Sequence, residues 1–250
     1  MIPIPIILIN LEQDTKRLEC AMNQLSVLDL PITRFPAIRG SDLDLHNIPI
    51  SWYTRYLIDH PNKRCSHQQI NSVGGIGCYL SHITIWNTFK DTPNGILVFE
   101  DDLSISKDTF KENIEQLLSN IPQDCDLLSF GYLGLLEKQC FDSDVTKSNS
   151  LFFGLQGYYI SSKGMYTLLQ HAYPIENHID AFVSLVAKQG LVNLYFTKHS
   201  FVQQSMSSLS NVSQNYCYKC LLPDVSIHTF IFIVVILVFL IALYIFYKYK

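Results

Sequence analysis

Short apolar runs alternate with amphipathic segments along most of the chain. Runs of four to eight apolar residues predict buried strands, and apolar positions three or four residues apart predict helices. Strands are predicted at 4–10, in "ITRFPAI" up to Gly40, at 95–99, and in "DLLSFGYLG", "FFGLQGYYIS" and "LVNLYF". Helices are predicted at 13–28, 49–61, 76–90, 108–120, 162–172 and 178–189. This alternation predicts an α/β fold around a mostly parallel sheet.

Polar or glycine-containing segments separate these elements. Gly74 and Gly75 predict a hinge before the helix at 76–90, and Gly77 follows within that helix. Glycines at a helix start permit close backbone approach, and such a start favours anions; they equally suit simple breakers. Residues 62–73 and 137–150 are polar and are predicted to be loops.

The C-terminal region contains the longest apolar run. Thr229–Tyr247 comprises nineteen residues without a charge, enough for a helix of roughly 30 Å, the thickness of a bilayer's hydrocarbon core. A buried core helix is the alternative, but such a helix is rarely apolar on every face. We therefore predict a catalytic domain at 1–205, a linker at 206–226, a transmembrane helix at 227–247 and a short basic tail at 248–250.

The N-terminal residues bear on the orientation of that helix. They are apolar, but they lack the basic segment and the cleavage site of a signal peptide. We therefore expect a single-pass C-terminal anchor with the catalytic domain in the cytosol, although Lys248 and Lys250 favour the opposite orientation. Seven cysteines, an odd number, fit a reducing compartment. The pair Cys217 and Cys220 suits zinc, palmitoylation or no role.

The overall charge argues against one class of partner. The formal net charge is −4, from 18 basic and 22 acidic residues, and no long basic run occurs. Nucleic-acid binding is therefore not expected.

Three adjacent acids end one of the predicted strands. In "ILVFEDDLSIS", four apolar residues lead directly into Glu100, Asp101 and Asp102. Ligands of open α/β sheets bind beyond the carboxyl ends of strands. Because side chains alternate along extended chain, we expect Glu100 and Asp102 on one side and Asp101 on the other. Two such carboxylates repel each other unless a hard cation, Mg²⁺ or Mn²⁺, lies between them. This predicts a nucleotide diphosphate bound through a metal.

A helix N-terminus is the alternative explanation for these acids. The helix macrodipole stabilises acidic side chains in the first turn, and a helix is predicted from about Lys107 or Asp108. That arrangement requires no metal.

Several motifs in order along residues 4–204 resemble glycosyltransferase family 25, the lipopolysaccharide and collagen galactosyltransferase-like family. The Ile-Asn-Leu of "IPIILINLEQDTKRLECAMNQL" resembles the family's opening strand and Arg-bearing helix. "GGIGCYLSHITIWNTF" is similar to its Gly-Cys-x-x-Ser-His helix, and "ILVFEDDLSIS" to its Glu-Asp-Asp metal motif. "FPAIRGSDL", "CDLLSFGYLG", "GLQGYYISSKGMYTLL" and "IENHIDAFVSLV" resemble further segments of the family.

The resemblance implies a GT-A-like nucleotide-diphosphosugar transferase fold. It implies transfer of a hexose, galactose or glucose, from a UDP-sugar to an acceptor hydroxyl with inversion, assisted by Mn²⁺ or Mg²⁺. A glycan, a glycolipid or a protein would be the acceptor.

The implied site residues fall into three groups. Glu100 and Asp102 are the expected metal ligands, and Asp180 is the expected catalytic base, with Glu176 as its substitute. The residues expected to bind the donor are Asn10, Arg17, Ser81, His82 and Asp101. His82 is expected to contact either the diphosphate or Asp102. His199 and either Gln203 or Gln204 are secondary candidates.

Each of these residues also has a structural explanation. Asn10 and Asp180 suit helix caps, and Arg17 suits a solvated helix face. His82 suits a hydrogen-bonded core position, and His199 a surface loop. Two other functions also fit the sequence: a non-catalytic membrane-anchored module that retains the fold, and a metal-dependent hydrolase. Bulky Tyr79 and Tyr132, expected near the cleft, are compatible with the non-catalytic module.

Overall fold

The computed structural model describes residues 4–135 and 144–205. Its strands are β1 (Ile6–Asn10), β2 (Ile32–Pro36), β3 (Ile96–Glu100), β4 (Leu103–Ile105), β5 (Leu127–Gly131), β6 (Gly134–Leu135), β7 (Val145–Lys147), β8 (Phe152–Phe153), β9 (Gly157–Ile160), β10 (Leu194–Thr197) and β11 (Val202–Gln204). Its α-helices are α1 (Thr15–Leu25), α2 (Trp52–Asp59), α3 (Val73–Phe89), α4 (Lys107–Ser119), α5 (Ser162–His171) and α6 (Ile179–Lys188).

Seven strands form the central sheet, in the order β2-β1-β3-β9-β5-β10-β7. β1 pairs in parallel with β2 and β3, and β10 pairs in parallel with β5. β9 runs antiparallel to both β3 and β5, and β7 antiparallel to β10. Five of the seven strands therefore share one direction, which confirms the predicted α/β fold with a mostly parallel sheet.

Helices cover both faces of this sheet because successive side chains of its buried strands point to opposite sides. Ile7 and Val98 face a core formed with α3, α5 and α6. Leu8 and Leu97 face a second core formed with α1 and α4. The sheet is thus the middle layer of three, and its strand ends remain available for a site.

Helix α3 begins earlier than the sequence predicts. It starts at Val73, where the hydroxyl of Ser72 accepts a hydrogen bond from the amide of Gly75 at 3.2 Å. The predicted hinge is therefore helical, because a serine N-cap satisfies a first-turn amide. The close approach at Gly77 is internal: a Cβ there would lie 2.4 Å from the carbonyl oxygen of Ile38.

Three short strands, β4, β7 and β11, lie where the sequence predicts no sheet. β4 directly follows the three acids and pairs antiparallel with β11. β7 lies within the predicted loop at 137–150 and forms the edge of the main sheet beside β10. The loop prediction was wrong there, because pairing with a distant strand supplies the hydrogen bonds that this polar segment needs.

The predicted linker at 206–226, transmembrane helix at 227–247 and tail at 248–250 lie outside the described residues. Within residues 4–135 and 144–205, no helix combines the length and the apolar character that crossing a bilayer requires.

Candidate active site

A cleft of about 880 Å³ lies where β1 ends at Asn10 and β3 ends at Glu100. The two strands are parallel neighbours, so their carboxyl ends reach the same edge of the sheet. All eight residues predicted for metal binding, donor binding or catalysis line this cleft: Asn10, Arg17, Ser81, His82, Glu100, Asp101, Asp102 and Asp180. Side chains from distant parts of the chain therefore share one cavity.

The three acids do not alternate as extended chain would. β3 ends at Glu100, and Asp101 and Asp102 form a turn before β4. The guanidinium of Arg17 consequently contacts both aspartates: Nη2 pairs with Asp101 Oδ1 and lies 3.5 Å from Asp102 Oδ2. The expectation that Asp101 points away from Asp102 was wrong, because the strand geometry ends one residue too early.

The helix-terminus explanation for the triplet also fails. α4 begins at Lys107, and Asp108 is the acid in its first turn. Glu100, Asp101 and Asp102 are separated from that turn by β4, so the macrodipole of α4 does not explain them.

Asp101 is held by side chains from β1 and α1. The amide of Asn10 donates to Asp101 Oδ2 at 2.6 Å and to the carbonyl oxygen of Asp14 at 3.1 Å. The Nε group of Arg34 donates to Asn10 Oδ1 at 3.0 Å. Burial raises the pKa of Asp101, while Asn10 and Arg17 oppose that rise. Asp101 is thus engaged by the protein on both oxygens.

Asp102 is less completely engaged. Gln204 donates from Nε2 to Asp102 Oδ2 at 2.9 Å, whereas the buried Oδ1 has no hydrogen-bond partner among the described residues. Burial, and secondarily the charge of Glu100, raises the pKa of Asp102 to about 6. An unpartnered carboxylate oxygen in a polar cleft is the donor type that Mg²⁺ and Mn²⁺ take. Together with Glu100, it fits the predicted metal.

Glu100 contacts a buried histidine. Oε1 of Glu100 lies 3.2 Å from His82 Nε2, and His82 Nδ1 lies 2.8 Å from the hydroxyl of Tyr158. His82 therefore supports Glu100. The alternative in which it supports Asp102 was wrong. Cys78 lies one helical turn before His82, and the ligand atoms of Cys78, His82 and Glu100 all lie within 4.8 Å of one another. A sulfur, nitrogen and oxygen set of this kind suits Zn²⁺.

Ser81 links α3 to the chain that follows β2. Its Oγ accepts a hydrogen bond from the amide of Ile38 at 2.8 Å and donates to the carbonyl oxygen of Gly77 at 2.7 Å. The residue lines the cleft, while its hydroxyl bonds to the protein backbone.

Asp180 lies on a different wall of the cleft, in the first turn of α6. Oδ2 accepts a hydrogen bond from the amide of Gly154, and Oδ1 one from the amide of Ala181, both at 2.7 Å. His178, and not Asp180, is the N-cap residue. Burial raises the pKa of Asp180. The carboxylate is thus fixed in position.

The sequence did not indicate the basic side chains on this wall. Arg64, His67 and His178 all line the cleft. Arg64 is buried, and its guanidinium donates to the backbone oxygens of Ser66 and His67. Arg64 and His67 come from the polar segment at 62–73, which has no periodicity to distinguish them. His178 stands two residues before Asp180, the one signal that could have indicated it.

The secondary candidates divide between cleft and surface. Gln204 lines the cleft, whereas Gln203, Glu176 and His199 are not among the described residues that do. Glu176 borders a separate, smaller cavity. Tyr79 and Tyr132 lie outside the cleft too, and their hydroxyls donate to the carbonyl oxygens of Ala172 and Thr197. Neither tyrosine side chain therefore lines the cleft, although their sequence neighbours Cys78 and Leu133 do.

Comparison with known proteins gives a consistent assignment. The family model described as "Glycosyltransferase family 25 (LPS biosynthesis protein)" matches residues 3–183. Among similar proteins is a "Glycosyltransferase 25 family member" of Aedes aegypti, 28% identical over 218 residues, which are 82% of this chain and 35% of the relative. One of Anopheles gambiae is 31% identical over 102 residues, 39% of this chain and 16% of the relative.

A third relative of the same name, from Drosophila melanogaster, is 27% identical over 191 residues, 72% of this chain and 30% of the relative. This chain thus spans about a third of the length of the curated relatives it matches most extensively. The family model includes the cleft from Asn10 to Asp180 and ends before Gln204. The match covers most of the chain and its cleft, and the chain belongs to glycosyltransferase family 25.

Proposed function

We propose that the chain transfers a hexose, galactose or glucose, from a UDP-sugar to an acceptor hydroxyl with inversion, and that the reaction depends on Mn²⁺ or Mg²⁺. The unpartnered, buried Oδ1 of Asp102 carries this proposal. Asp102 lines the same cleft as Glu100, Arg17 and Asp180. Such an oxygen is costly to bury unless a ligand completes its coordination.

The charges of the cleft support a metal-assisted donor. Three carboxylates lie together at the end of β3, so a nucleotide diphosphate would meet net repulsion without a cation. Glu100 and Asp102 would hold a divalent ion, which would neutralise charge on the departing diphosphate. Arg17 supplies a further group: its Nε is buried without a hydrogen-bond partner in the described part of the chain. The guanidinium fork matches phosphate oxygens.

Asp180 is the proposed base. In an inverting transfer, the acceptor oxygen forms a bond to the sugar carbon while the bond from that carbon to the diphosphate oxygen breaks. The acceptor proton passes to the Asp180 carboxylate, and the bonding electrons leave with the diphosphate. The raised pKa of Asp180 favours proton acceptance. The amides of Gly154 and Ala181 hold its two oxygens in place.

The acceptor and the location belong to the same proposal. We propose a glycan, a glycolipid or a protein as acceptor, and attachment to a membrane through residues 227–247 with the catalytic domain in the cytosol. Alkaline extraction of membranes tests the attachment. The full-length chain should remain in the membrane pellet, whereas a chain ending at Ser205 should be released.

Turnover of UDP-sugars tests the activity. With Mn²⁺ and an acceptor, the full-length chain should release UDP from UDP-galactose or UDP-glucose, and chelation by EDTA should abolish the release. Asp102→Asn should lower the rate at least about 100-fold, since it removes a charged metal ligand. Glu112→Gln, which removes an exposed acid on α4, is the matched control and should retain activity.

The same assay separates the competing functions. UDP release that is unchanged by any acceptor would indicate a hydrolase. Binding of Mn²⁺ and UDP without turnover would indicate the non-catalytic module. Absence of both binding and turnover would refute the proposed site.

A further inference from the structure

Three buried side chains, hydrogen-bonded one to the next, lead from the core to Glu100. The indole Nε1 of Trp86 donates to the hydroxyl of Tyr158 at 2.9 Å, and that hydroxyl lies 2.8 Å from His82 Nδ1. His82 is 1% exposed, and Tyr158 and Trp86 are fully buried. The imidazole Nε2 then lies 3.2 Å from Glu100 Oε1 at the cleft.

The available hydrogens determine the donor and the acceptor in each of these hydrogen bonds. An indole nitrogen can only donate, so the Tyr158 oxygen accepts from Trp86. Tyr158 has one hydrogen of its own, and His82 Nδ1 is the remaining partner that the described residues offer it. Burial raises the pKa of Tyr158 well above its ordinary value, so the hydroxyl retains that hydrogen. It is therefore donated to Nδ1, which must be unprotonated.

We propose that Tyr158, itself oriented by Trp86, is a positioning residue that fixes His82 as the tautomer with hydrogen on Nε2. His82 then donates to Glu100 Oε1 and holds this carboxylate at the cleft. Oε2 of Glu100 has no hydrogen bond from the described residues and stays available to a ligand. This role of Glu100 rests on the proposed function, whereas the tautomer does not.

Two possible metal-ligand sets share Glu100: Cys78 and His82 with Glu100, and Asp102 with Glu100. The tautomer of His82 distinguishes between them. A metal on His82 Nε2 would require the hydrogen on Nδ1, and the Tyr158 hydroxyl would then receive two hydrogen bonds and lose its acceptor. A buried hydroxyl whose hydrogen has no acceptor is unfavourable. The structure thus assigns His82 to support Glu100, and assigns any cation to the oxygens of Glu100 and Asp102 and not to Cys78.

Nitrogen NMR of the full-length chain in detergent, with ¹⁵N-labelled histidine and no metal, tests the tautomer. His82→Gln identifies the His82 signals by their loss. We expect a protonated Nε2 and an unprotonated Nδ1, and we expect Tyr158→Phe to shift the Nδ1 signal, because Nδ1 loses the hydrogen bond that it accepts. Tyr159→Phe is the matched control, because Tyr159 is the next residue of β9 and faces the opposite core. A protonated Nδ1 in the wild type, or an unchanged spectrum in Tyr158→Phe, would overturn the proposal.

Calorimetric titration with Mn²⁺ tests the consequence for Glu100. Tyr158→Phe should weaken Mn²⁺ binding about 10- to 100-fold, the usual effect of losing support behind a metal ligand, and Tyr159→Phe should not. His82→Gln, which keeps a donor near the Nε2 position, should bind Mn²⁺ more tightly than His82→Asn. Equal affinities for these two variants would overturn the positioning role. A wild type that binds no Mn²⁺ would refute the proposed metal and leave the tautomer result standing.

Discussion

At the scale of single residues, Asp102 illustrates a conflict between folding and ligand binding. Asp102 is 8% exposed, one of its carboxylate oxygens has no hydrogen bond among the described residues, and burial raises its pKa from 3.8 to about 6. A rise of that size corresponds to a destabilisation on the order of 3 kcal/mol when the group is charged. A buried charge that destabilises the folded protein indicates a ligand site and not a structural role.

Asp102→Asn should therefore stabilise the protein in the absence of metal. At pH 7.5 with EDTA, we expect the free energy of unfolding to rise by up to about 3 kcal/mol, because the buried charge is removed. The gain should shrink as the pH falls through about 6 and should vanish below 3.8, where Asp102 is protonated in both states. Denaturant titration measures it, with Glu112→Gln as control. A destabilised Asp102→Asn protein would show that the buried charge of Asp102 does not destabilise the fold.

His178 should lower the free energy of unfolding as the pH falls, whereas protonation of Asp102 should raise it. Burial, and secondarily the charge of Arg64, lowers its pKa from 6.5 to about 4. Between these values the unfolded chain binds a proton that the folded protein does not, so stability should decrease as the pH falls from 6.5 towards 4. His178→Gln should flatten this slope by up to about 1.4 kcal/mol per pH unit.

Denaturant unfolding at a series of pH values measures the effect of His178→Gln. His46→Gln, at an exposed histidine, is the matched control and should leave the slope unchanged. An identical slope for wild type and His178→Gln would show that His178 is not buried in its neutral form.

Part of the site could be predicted from the sequence, for a physical reason. Asn10 and Glu100 end apolar strands, and the carboxyl ends of parallel strands meet at one edge. Arg64 and His67 reach the cleft from an irregular segment, and their position depends on contacts with backbone carbonyls. No local pattern encodes such contacts, so these two residues of the wall that carries Asp180 could not be predicted.

At the scale of secondary-structure elements, the packing of α3 against the chain after β2 requires glycine on both sides. A Cβ on Gly77 would lie 2.4 Å from the oxygen of Ile38, and one on Gly40 would lie 2.0 Å from the oxygen of Val73. Ser81 bonds to the amide of Ile38 in the same region. These contacts place α3, with Cys78 and His82, beside the ends of β1 and β3.

Gly77→Ala should therefore destabilise the protein, although alanine is the better helix former by about 1 kcal/mol. The added carbon meets backbone on the facing segment, and overpacking of this kind is unfavourable by about 1–3 kcal/mol. We expect a net lower melting temperature in thermal denaturation. Thr84→Ala, at an exposed position of the same helix, should change the melting temperature little. A stabilised Gly77→Ala protein would refute the close contact.

The elements that the sequence predicts best are those with strong periodicity. The apolar stretch of β3 and the face of α4 formed by Phe110, Ile114 and Leu117 bury as expected. β4, β7 and β11 have three residues each, too few for a periodic pattern. Their pairing depends on distant partners, so local propensity cannot indicate them.

At the scale of the whole molecule, the sequence predicts the layers but not the direction of every strand. Side-chain alternation is the same in parallel and antiparallel strands, so nothing in "GLQGYYIS" shows that β9 runs against its neighbours. β9 carries Tyr158 on the side of the sheet where His82 and Trp86 lie.

The central place of β9 also affects how the protein is made. β3 and β5 do not pair with each other, so the half-sheets β2-β1-β3 and β5-β10-β7 are joined by β9. A nascent chain that has left the ribosome only as far as residue 150 carries β3 and β5 with their inner edges unpaired. Open edges of this kind recruit other chains or chaperones. Protection from aggregation and completion of the support behind Glu100 should therefore arise together, when residues 157–160 emerge.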